Sequence, residues 1–577
     1  MTSPSDVLAQ RFQAALTSAF GDEYAAVDPV IRPSHFADFQ ANASLPLAKR
    51  LGRKPREVAE TLVGHLTIDD VCLPPSISGP GFINLTLRPD WVAEQVDALT
   101  SDRRLGVPLE AGLVIPIDYS APNVAKEMHV GHLRTTVVGD ALARTLEHLG
   151  HRVVRQNHVG DWGTPFGMLI EHLRDVGEDS DEARSLVDRP NDFYQAARAK
   201  FDASEEFAVR SRQRVVALQA GDGDTLRLWH ELVELSTFYF NTIYQTLGVT
   251  LTDADLAGES SYNDVLPAIC DELESLGVAT VSEGALCVFL EGFTGREGKP
   301  VPLIIRKSDG GFGYATTDLA TVKHRVQDLH ADRILYVIGA PQHLHLQMVF
   351  ETARKAGWLP PYVDVVHVQI GNVLGADGKI LKTRSGAPVR LMALLDEAVD
   401  RAAQVLAEAR PELDEATRSE IARDVGIGAV KYADLSVSHD SEYTFDFDRM
   451  LALTGNTGPY LQYAAARIRS MLRKAGLSAD EVGGKVVLGE EAERSLALAL
   501  LGFGNVVEQV GRTYEPHRLC AYLFDVAQSF TTFYEHCPVL RAEDPDVRAS
   551  RLALSAQTLR VLVTGLDLLG IRAPDQM

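Results

Sequence analysis

The residues best suited to chemistry lie close together in the segment NVAKEMHVGHLRTT, residues 123–136. His129 and His132 are three positions apart, so on a helix they project from the same side. Gly131 between them has no side chain, which lets a flat ring lie against the backbone. Lys126 adds an ammonium group just upstream. The spacing suits a site that handles nucleotide phosphates, and it also suits a polar helix entrance without chemistry.

The elements around this segment favour the phosphate interpretation. The apolar run LVIPIDYS precedes it and the periodic segment VVGDALARTLEHLG follows it, which predicts a strand, a loop and a helix start. Unpaired N–H groups and the helix dipole attract anions there. The runs HRVVRQNHV, RILYVIG and VDVVHVQIGNVL alternate with helical segments, which predicts a parallel α/β sheet that binds ligands at its carboxyl edge.

The predicted organisation has four parts. Residues 1–110 form an N-terminal α+β module that ends in the strand GPGFINLTL. Residues 111–395 form a Rossmann-like parallel-sheet domain, interrupted at about 175–300 by an insertion rich in helix formers and charge. A helical connector at 396–450 and a helical bundle at 451–577 complete the chain.

Composition limits the classes of protein that remain. No apolar run approaches the ~18 residues that span a bilayer, and the N-terminus lacks a signal sequence, so we expect a cytoplasmic protein without a membrane partner. The 5 cysteines are dispersed without a CxxC pair, so no metal site and no structural zinc are expected. The net charge of −23 argues weakly against a surface coated by nucleic acid, but local basic strips remain compatible with one folded RNA.

The motif HVGH resembles the HIGH signature of class I aminoacyl-tRNA synthetases. The wider segments IDYSAPNVAKEMHVGHLRTTVVGDALAR and HRVVRQNHVGDWGTPFGMLI are similar to the arginyl-tRNA synthetase family, and the resemblance extends over essentially the whole chain. It implies ATP-dependent activation of L-arginine, with Mg²⁺ accompanying ATP, and transfer to the 3′ end of tRNA(Arg). It also implies attack by the 2′-hydroxyl and tRNA binding before adenylate formation. His129, Gly131 and His132 would bind ATP.

A second class I signature, normally KMSKS, is represented by Lys382-Thr383-Arg384-Ser385-Gly386 and lacks the second lysine. The resemblance implies that Lys382 and Arg384 hold the phosphates of the leaving pyrophosphate. It also implies that Lys126 replaces the missing lysine, which is chemically reasonable because any nearby ammonium can stabilise the charge that develops on the α-phosphate. An ordinary glycine-flanked basic turn remains the alternative for this loop.

The resemblance also implies a pocket for the substrate arginine. Tyr314 and Asp318 are four positions apart and would share a helix face, while Gln342 follows the strand RILYVIG. Carboxylates offer a guanidinium fork-shaped, charge-assisted hydrogen bonds. Each residue alone is better explained by capping or packing, and only their joint appearance beside strand ends favours a pocket. The predicted arginine-binding residues are Asp118, Asn123, Tyr314, Asp318 and Gln342.

The predicted tRNA contacts come from both ends of the chain. In the N-terminal module, Phe82 and Asn84 match positions that the family uses on the tRNA D-loop. The C-terminal bundle resembles the family's DALR-type anticodon-binding domain, where Tyr460, Tyr463 and Arg467 share a helix face and Met577 is the last residue. Packing inside the strand or the bundle is an equally good explanation for each aromatic residue.

Other functions remain to be weighed against an arginine–tRNA ligase. A class I synthetase for another amino acid would need a different pocket, and a small nucleotidyltransferase would not need the two terminal modules. A catalytically inactive, synthetase-like RNA-binding protein is disfavoured by the intact HVGH. A dinucleotide-dependent oxidoreductase is excluded because GGFG is not a GxGxxG after a first strand. We expect a monomer, although the sequence does not determine the oligomeric state.

Overall fold

The computed structural model describes residues 3–183, 190–295, 298–382, 388–479 and 481–577. Strands are numbered β1–β13 and helices α1–α20 in chain order. The loop residues Thr383 to Ala387, which include Arg384, lie outside the described ranges.

The N-terminal module combines four helices with a small antiparallel sheet of order β1-β2-β4-β3. Its first helix begins where the Ser3 hydroxyl accepts a hydrogen bond from the Asp6 N–H at 3.1 Å. Leu8, Phe12 and Leu16, four positions apart, form its buried stripe. The elements are α1 (Pro4–Phe20), β1 (Ile31–Pro33), β2 (Phe39–Ala41), α2 (Ser44–Leu51), α3 (Pro55–His65), β3 (Ser76–Ser78), β4 (Phe82–Leu85) and α4 (Pro89–Ser101).

The central domain is built on a parallel sheet of order β11-β10-β5-β6, which confirms the predicted α/β class. Its strands are rich in β-branched residues, and Ile115, Ile117 and Ile334 are fully buried because helices cover both faces. The sheet and its flanking helices are β5 (Val114–Asp118), α5 (Val130–His148), β6 (Arg152–Gln156), α6 (Thr164–Val176), and, after the insertion, α11 (Tyr314–Gln327), β10 (Arg333–Gly339), α12 (His343–Lys355) and β11 (Asp364–Ile370).

An insertion separates the two halves of this sheet, as the sequence predicts. Its helices pack closely on the domain: a Cβ on Gly167 of α6 would lie 2.1 Å from the Ser211 carbonyl oxygen, so only glycine permits this approach. A second hydrophobic cluster lies beneath its antiparallel sheet of order β7-β8-β9. The elements are α7 (Pro190–Ala203), α8 (Glu205–Gln219), α9 (Gly223–Leu247), α10 (Leu266–Ser275), β7 (Thr280–Ser282), β8 (Ala285–Thr294) and β9 (Pro300–Arg306).

The remainder of the chain is nearly all helical, as the sequence predicts, apart from the short parallel pair formed by β12 and β13. No helix within the described ranges is long and apolar enough to cross a membrane. The elements are β12 (Val373–Leu374), α13 (Leu391–Ala409), α14 (Glu415–Leu435), β13 (Tyr443–Thr444), α15 (Phe447–Met450), α16 (Gly458–Lys474), α17 (Glu491–Leu500), α18 (Phe503–Thr513), α19 (His517–His536) and α20 (Pro545–Leu568).

Candidate functional site

The two histidines of HVGH form the entrance of α5. His129 is the N-cap residue, and its Nδ1 accepts a hydrogen bond from the Gly131 N–H at 3.1 Å. The Nδ1 of His132 accepts one from the His129 N–H at 3.1 Å, so the two side chains satisfy helix-start donors reciprocally. The ring centroids are 4.1 Å apart. Because each ring engages Nδ1, Nε2 is the nitrogen left for a ligand.

Both rings are held in the neutral form. Burial lowers the pKa of His129, and the positive charge of Lys126 lowers it further. Burial lowers the pKa of His132 to about 3, with an additional contribution from His129. At neutral pH these side chains therefore offer hydrogen bonds rather than positive charge to a phosphate, and any cationic contribution must come from lysine or arginine.

A cleft of about 300 Å³ opens beside this helix entrance. His129 and Gly131 line one side, the loops after β10 and β11 line another, and Lys382 lies at its border. Residues 128–130 pair with residues 389–391 like two short strands, through hydrogen bonds of 3.0 and 2.9 Å. This pairing places the chain that follows the second signature beside the first signature. The structure thus brings HVGH and the start of the KTRSG loop to one cleft.

The loop between β5 and α5 is held in an unusual backbone conformation. Ser120, Ala121 and Ala125 have φ values of 71°, 46° and 58°, which only glycine adopts without strain. Such residues persist where the surroundings impose them, and they cluster at functional sites. Two side chains of α9 supply that support: the Tyr244 hydroxyl lies 2.8 Å from Ser120 Oγ, and Ser236 Oγ accepts from the Ala125 N–H at 2.9 Å.

Two predicted site residues occupy this strained loop. Lys126 is partly exposed, and its Nζ lies 4.5 Å from the centroid of the Tyr194 ring in α7. None of the ion pairs formed by the described residues involves Lys126. Asn123 is exposed, and its Oδ1 would lie 2.5 Å from a Cβ on Gly160, so the glycine allows the two loops to meet.

Tyr314 and Asp318 lie on one face at the start of α11, as their spacing predicts. The Asp318 carboxylate is 2.6 Å from His345 Nε2 and 4.0 Å from His158 Nε2. The Tyr314 ring packs edge-on against His345 at 4.6 Å and remains 67% exposed. Gln342 is exposed and ends the short helix Ala340–Gln342, directly before α12, which carries His345.

Asp118 has a different environment from the other predicted arginine ligands. Its Oδ2 accepts a hydrogen bond from Arg325 of α11 at 2.7 Å, and both side chains are almost wholly buried. The Arg325 guanidinium also lies 4.8 Å from the Tyr336 ring centroid. The carboxylate of Asp118 is therefore already engaged by an arginine of the protein.

Two further carboxylates adjoin Asp318 and are not among the predicted residues. Glu259 interacts electrostatically with Asp318, Asp161 and His158, and burial together with the two acids raises its pKa to about 7. Asp161 accepts hydrogen bonds from the Ser260 N–H at 2.8 Å and hydroxyl at 2.6 Å, and burial raises its pKa. We call Asp161, Glu259 and Asp318 the acid pocket. No local pattern marks Glu259, because it follows the helices of the insertion.

The predicted N-terminal tRNA residues share one face of β4. Phe82 and Asn84 are both half-buried and two positions apart, so their side chains project on the same side of the strand. The Asn84 amide accepts from Gln40 Nε2 at 2.8 Å and donates to Ser78 Oγ at 3.1 Å. The structure therefore assembles a polar sheet face with an aromatic ring beside it.

The predicted anticodon-facing residues of α16 are divided between packing and exposure. The Tyr460 ring packs against Phe524 at 5.6 Å, whereas Tyr463 is 42% exposed. The Arg467 guanidinium lies 4.3 Å from the Tyr534 ring centroid. The Met577 oxygen accepts a hydrogen bond from Arg410, directly after α13, whereas the segment that precedes it accepts hydrogen bonds from α16.

Comparison with known families agrees with this geometry. Residues 95–447 match the family described as tRNA synthetases class I (R), catalytic domain. Residues 461–577 match the DALR anticodon binding domain, and residues 6–87 match the arginyl tRNA synthetase N terminal domain.

Individual arginine–tRNA ligases and arginyl-tRNA synthetases are similar to this chain over its full length. The arginine–tRNA ligase of Thermobifida fusca is 71% identical over 577 residues, with 100% of both chains covered. That of Streptomyces coelicolor is 48% identical, again with 100% of both covered. The crystal structure of the Plasmodium falciparum arginyl-tRNA synthetase superposes with a TM-score of 0.85 at 27% identity and 100% coverage of both chains.

The other interpretations of HVGH, among them a synthetase for a different amino acid, are thereby excluded. The signature helix, the acid pocket and the two terminal modules all occur within one matched chain. The chain belongs to the arginyl-tRNA synthetase family and is an arginine–tRNA ligase.

Proposed function

We propose that the acid pocket binds the guanidinium of L-arginine while the cleft at HVGH binds ATP. The observation that carries this proposal is the absence of a cationic partner: within the described ranges, Asp161, Glu259 and Asp318 form no ion pair with lysine or arginine. Neighbouring carboxylates without a cation repel one another, and a guanidinium would relieve that repulsion. Burial raises the pKa of Glu259, and the charges of Asp161 and Asp318 raise it further, so this carboxyl would gain from a cation.

The arginine contacts follow from the position of each group. Asp318 and Glu259 would accept from the guanidinium, and Tyr314, exposed at the helix start, would cover the side chain. Asn123 and Gln342, both exposed on loops at the carboxyl edge of the sheet, would contact the amino and carboxylate groups. Asp118 would act through its buried bond to Arg325, which supports α11 beneath Asp318.

The ATP contacts divide between backbone and side chains. Gly131 would admit the adenine ring, and the neutral His129 and His132 would donate hydrogen bonds to the phosphates. Lys382 borders the same cleft, and with Arg384 it would hold the β- and γ-phosphates. Mg²⁺ would accompany ATP as part of that substrate and would supply positive charge to its phosphates.

Lys126 supplies the charge at the reacting atom. An arginine carboxylate oxygen attacks the α-phosphorus, a new P–O bond forms, and the bond to pyrophosphate breaks. Negative charge grows on the α-phosphate oxygens during this step, and an ammonium placed there stabilises it. Lys126 rests on the Tyr194 ring without an ion-pair partner among the described residues, so a phosphate would not have to displace a carboxylate to reach it.

The second step transfers arginine to tRNA(Arg). The 2′-hydroxyl of the terminal adenosine attacks the adenylate carbonyl, the ester forms, and AMP leaves. Burial lowers the pKa of both signature histidines, which makes them weak bases, so positioning and electrostatics would carry catalysis. The enzyme would act as a cytoplasmic monomer.

The tRNA would contact both terminal modules. Phe82 and Asn84 would stack on and hydrogen-bond a flipped D-loop base, since their shared face offers a ring beside amide and hydroxyl groups. Tyr463, with Tyr460 and Arg467 beside it, would meet the anticodon, and Met577 would lie at the same surface.

Two assays test these proposals. Aminoacylation of total tRNA with each amino acid should give a product only with arginine, and replacement of Glu259 by Gln should raise the KM for arginine without changing that for ATP. ATP–pyrophosphate exchange with arginine should require tRNA; equal exchange rates with and without tRNA would contradict the expected order of binding.

A further inference from the structure

The buried lysine of α14 lies where four parts of the chain meet. Lys431 is 1% exposed, and its ammonium donates to two main-chain oxygens, that of Leu247 at 2.7 Å and that of Gly570 at 2.5 Å. Leu247 ends α9 of the insertion, whereas Gly570 follows α20, the last helix. A buried ammonium is retained at such a place only if its partners hold it in the charged form.

The carboxylate that acts electrostatically on Lys431 is Asp140 in the middle of α5, which is itself paired with Arg144 at 2.8 Å. Asp140 is 1% exposed and interacts electrostatically with Lys431 and Arg144. A Cβ on Gly570 would lie 2.8 Å from Lys431 Nζ, 3.2 Å from Asp140 Oδ2 and 3.3 Å from Arg144 Nε. The three charged groups therefore converge on one glycine, whose φ of 65° and missing side chain allow the contact.

A second buried pair joins the same two helices. Arg134, in the first turns of α5, donates to Asp434 of α14 at 3.1 Å, and both side chains are at most 1% exposed. Asp140 is eight positions after His132, about 12 Å along a helix. Arg134 and Asp434 thus join α5 directly to α14, the electrostatic interaction of Asp140 with Lys431 adds a second link further along, and HVGH is at the N-terminal end of α5.

The segment 570–577, which we call the C-terminal segment, is bound to the predicted tRNA-facing helix α16. The Arg572 oxygen accepts from Gln462 at 2.7 Å, and the oxygens of Ala573 and Pro574 both accept from Arg469 at 2.8 Å. Side chains of α16 thus donate three hydrogen bonds to main-chain oxygens of the residues next to Gly570. A displacement of α16 would be transmitted to those residues through these bonds.

We propose that Lys431 is a positioning residue that couples the tRNA-facing helix α16, through the C-terminal segment, to the HVGH end of α5. This inference rests on the proposed function, in which α16 contacts tRNA and arginine activation depends on tRNA. A shift of the C-terminal segment moves the Gly570 oxygen, Lys431 follows because it is hydrogen-bonded to that oxygen, and Asp140 transmits the change to the helix that presents His129.

The test uses full-length tRNA(Arg) and an acceptor-stem minihelix that cannot reach α16. In the unaltered enzyme, full tRNA should support ATP–pyrophosphate exchange at least tenfold faster than the minihelix does, at saturating concentrations of each. Lys431→Met should reduce that ratio to within twofold of unity, while the Kd for full tRNA stays within twofold. Arg423→Met, an exposed residue of the same helix, is the matched control and should keep the ratio.

Each other outcome has a distinct meaning. If Lys431→Met slows exchange equally with both RNAs, the role is structural and the coupling proposal is overturned, although the proposed function stands. If the unaltered enzyme shows no advantage of full tRNA, the tRNA-first proposal fails together with the coupling. Should Lys431→Met not fold, Gly570→Ala tests the contact from the other side with every charge retained, and an unchanged ratio there overturns the proposal.

Discussion

Two groups of acids in this enzyme differ in their partners: the acid pocket, in which Asp161 is buried and Glu259 and Asp318 are half-buried, and a second group that is almost wholly buried. Those of the acid pocket interact with one another and with histidines, and burial raises the pKa of Glu259 and Asp161. The others, which we call the framework acids, each have an arginine within 3.1 Å. The framework acids are Asp118 with Arg325, Asp140 with Arg144, and Asp434 with Arg134.

The two groups of acids differ in role: the framework acids support the fold, and the acid pocket is proposed to recognise the substrate. A buried carboxylate with its own arginine is neutralised, so it fixes the position of helices and has little remaining affinity for a cation. A group of carboxylates without a cation is destabilised in the free enzyme and gains when a guanidinium binds. Asp118 shows why the distinction matters, because its place at a strand end would otherwise suggest recognition.

The framework acids should show the largest effect when one partner is removed. Asp434→Asn leaves Arg134 buried without its counter-charge and should lower the free energy of unfolding by about 3–5 kcal/mol. Urea unfolding, read as a lower midpoint with the same slope, measures the change. The matched control is Asp70→Asn, which breaks an exposed pair with Arg11 and should cost at most about 1 kcal/mol. Equal losses in both variants would remove the distinction between framework and surface pairs.

Lys126, which has no ion-pair partner among the described residues, should affect the rate of adenylate formation rather than the stability of the fold. Lys126→Ala should reduce the rate constant of adenylate formation by about 10²–10³, the usual cost of removing one electrostatic contact to a transition state. The thermal midpoint and the Kd for tRNA should not change, because Lys126 is partly exposed and forms no ion pair among the described residues. Single-turnover measurement with Lys355→Ala as the control decides the question, and an unchanged rate would exclude Lys126 as the replacement for the missing KMSKS lysine.

The acid pocket should govern arginine affinity. Asp318→Asn removes a charged hydrogen-bond acceptor worth about 1.5–3 kcal/mol, so the KM for arginine should rise by about 10- to 100-fold. The KM for ATP should stay the same. Asp328→Asn, an exposed acid at the end of the same helix, serves as the control. A normal KM for arginine in the Asp318 variant would remove this residue from the pocket.

The smallest expected effect is a pH dependence of arginine binding. The pKa of Glu259 is raised to about 7 by burial and by Asp161 and Asp318, against the opposing effect of His158. The carboxyl is therefore neutral below pH 7, and the KM for arginine should rise about fivefold between pH 7 and pH 6. Steady-state assays of the wild type and Glu259→Gln should show that the variant has a high KM without this dependence. A pH-independent KM in the wild type would show that Glu259 is ionised throughout.

Patterns in the sequence were sufficient to predict structural features that depend on residues close together in the chain. The four-position spacing of Tyr314 and Asp318 correctly placed both on one helix face, and the strand before HVGH correctly placed the histidines at a helix entrance. Glu259 was missed because it lies inside the long insertion, on a short 3-10 helix without periodicity. The engagement of Asp118 was also invisible, since Arg325 is 207 positions away.

The sequence by itself determined the parallel α/β class, the helical C-terminal part, the helix entrance at HVGH and the identity of the family, because each depends on periodicity or on a contiguous motif. Only the tertiary structure decided which charges are neutralised. A carboxylate's affinity for a cation depends on every charge within a few ångströms, and the residues that surround Asp118, Asp140 and Glu259 come from distant parts of the chain.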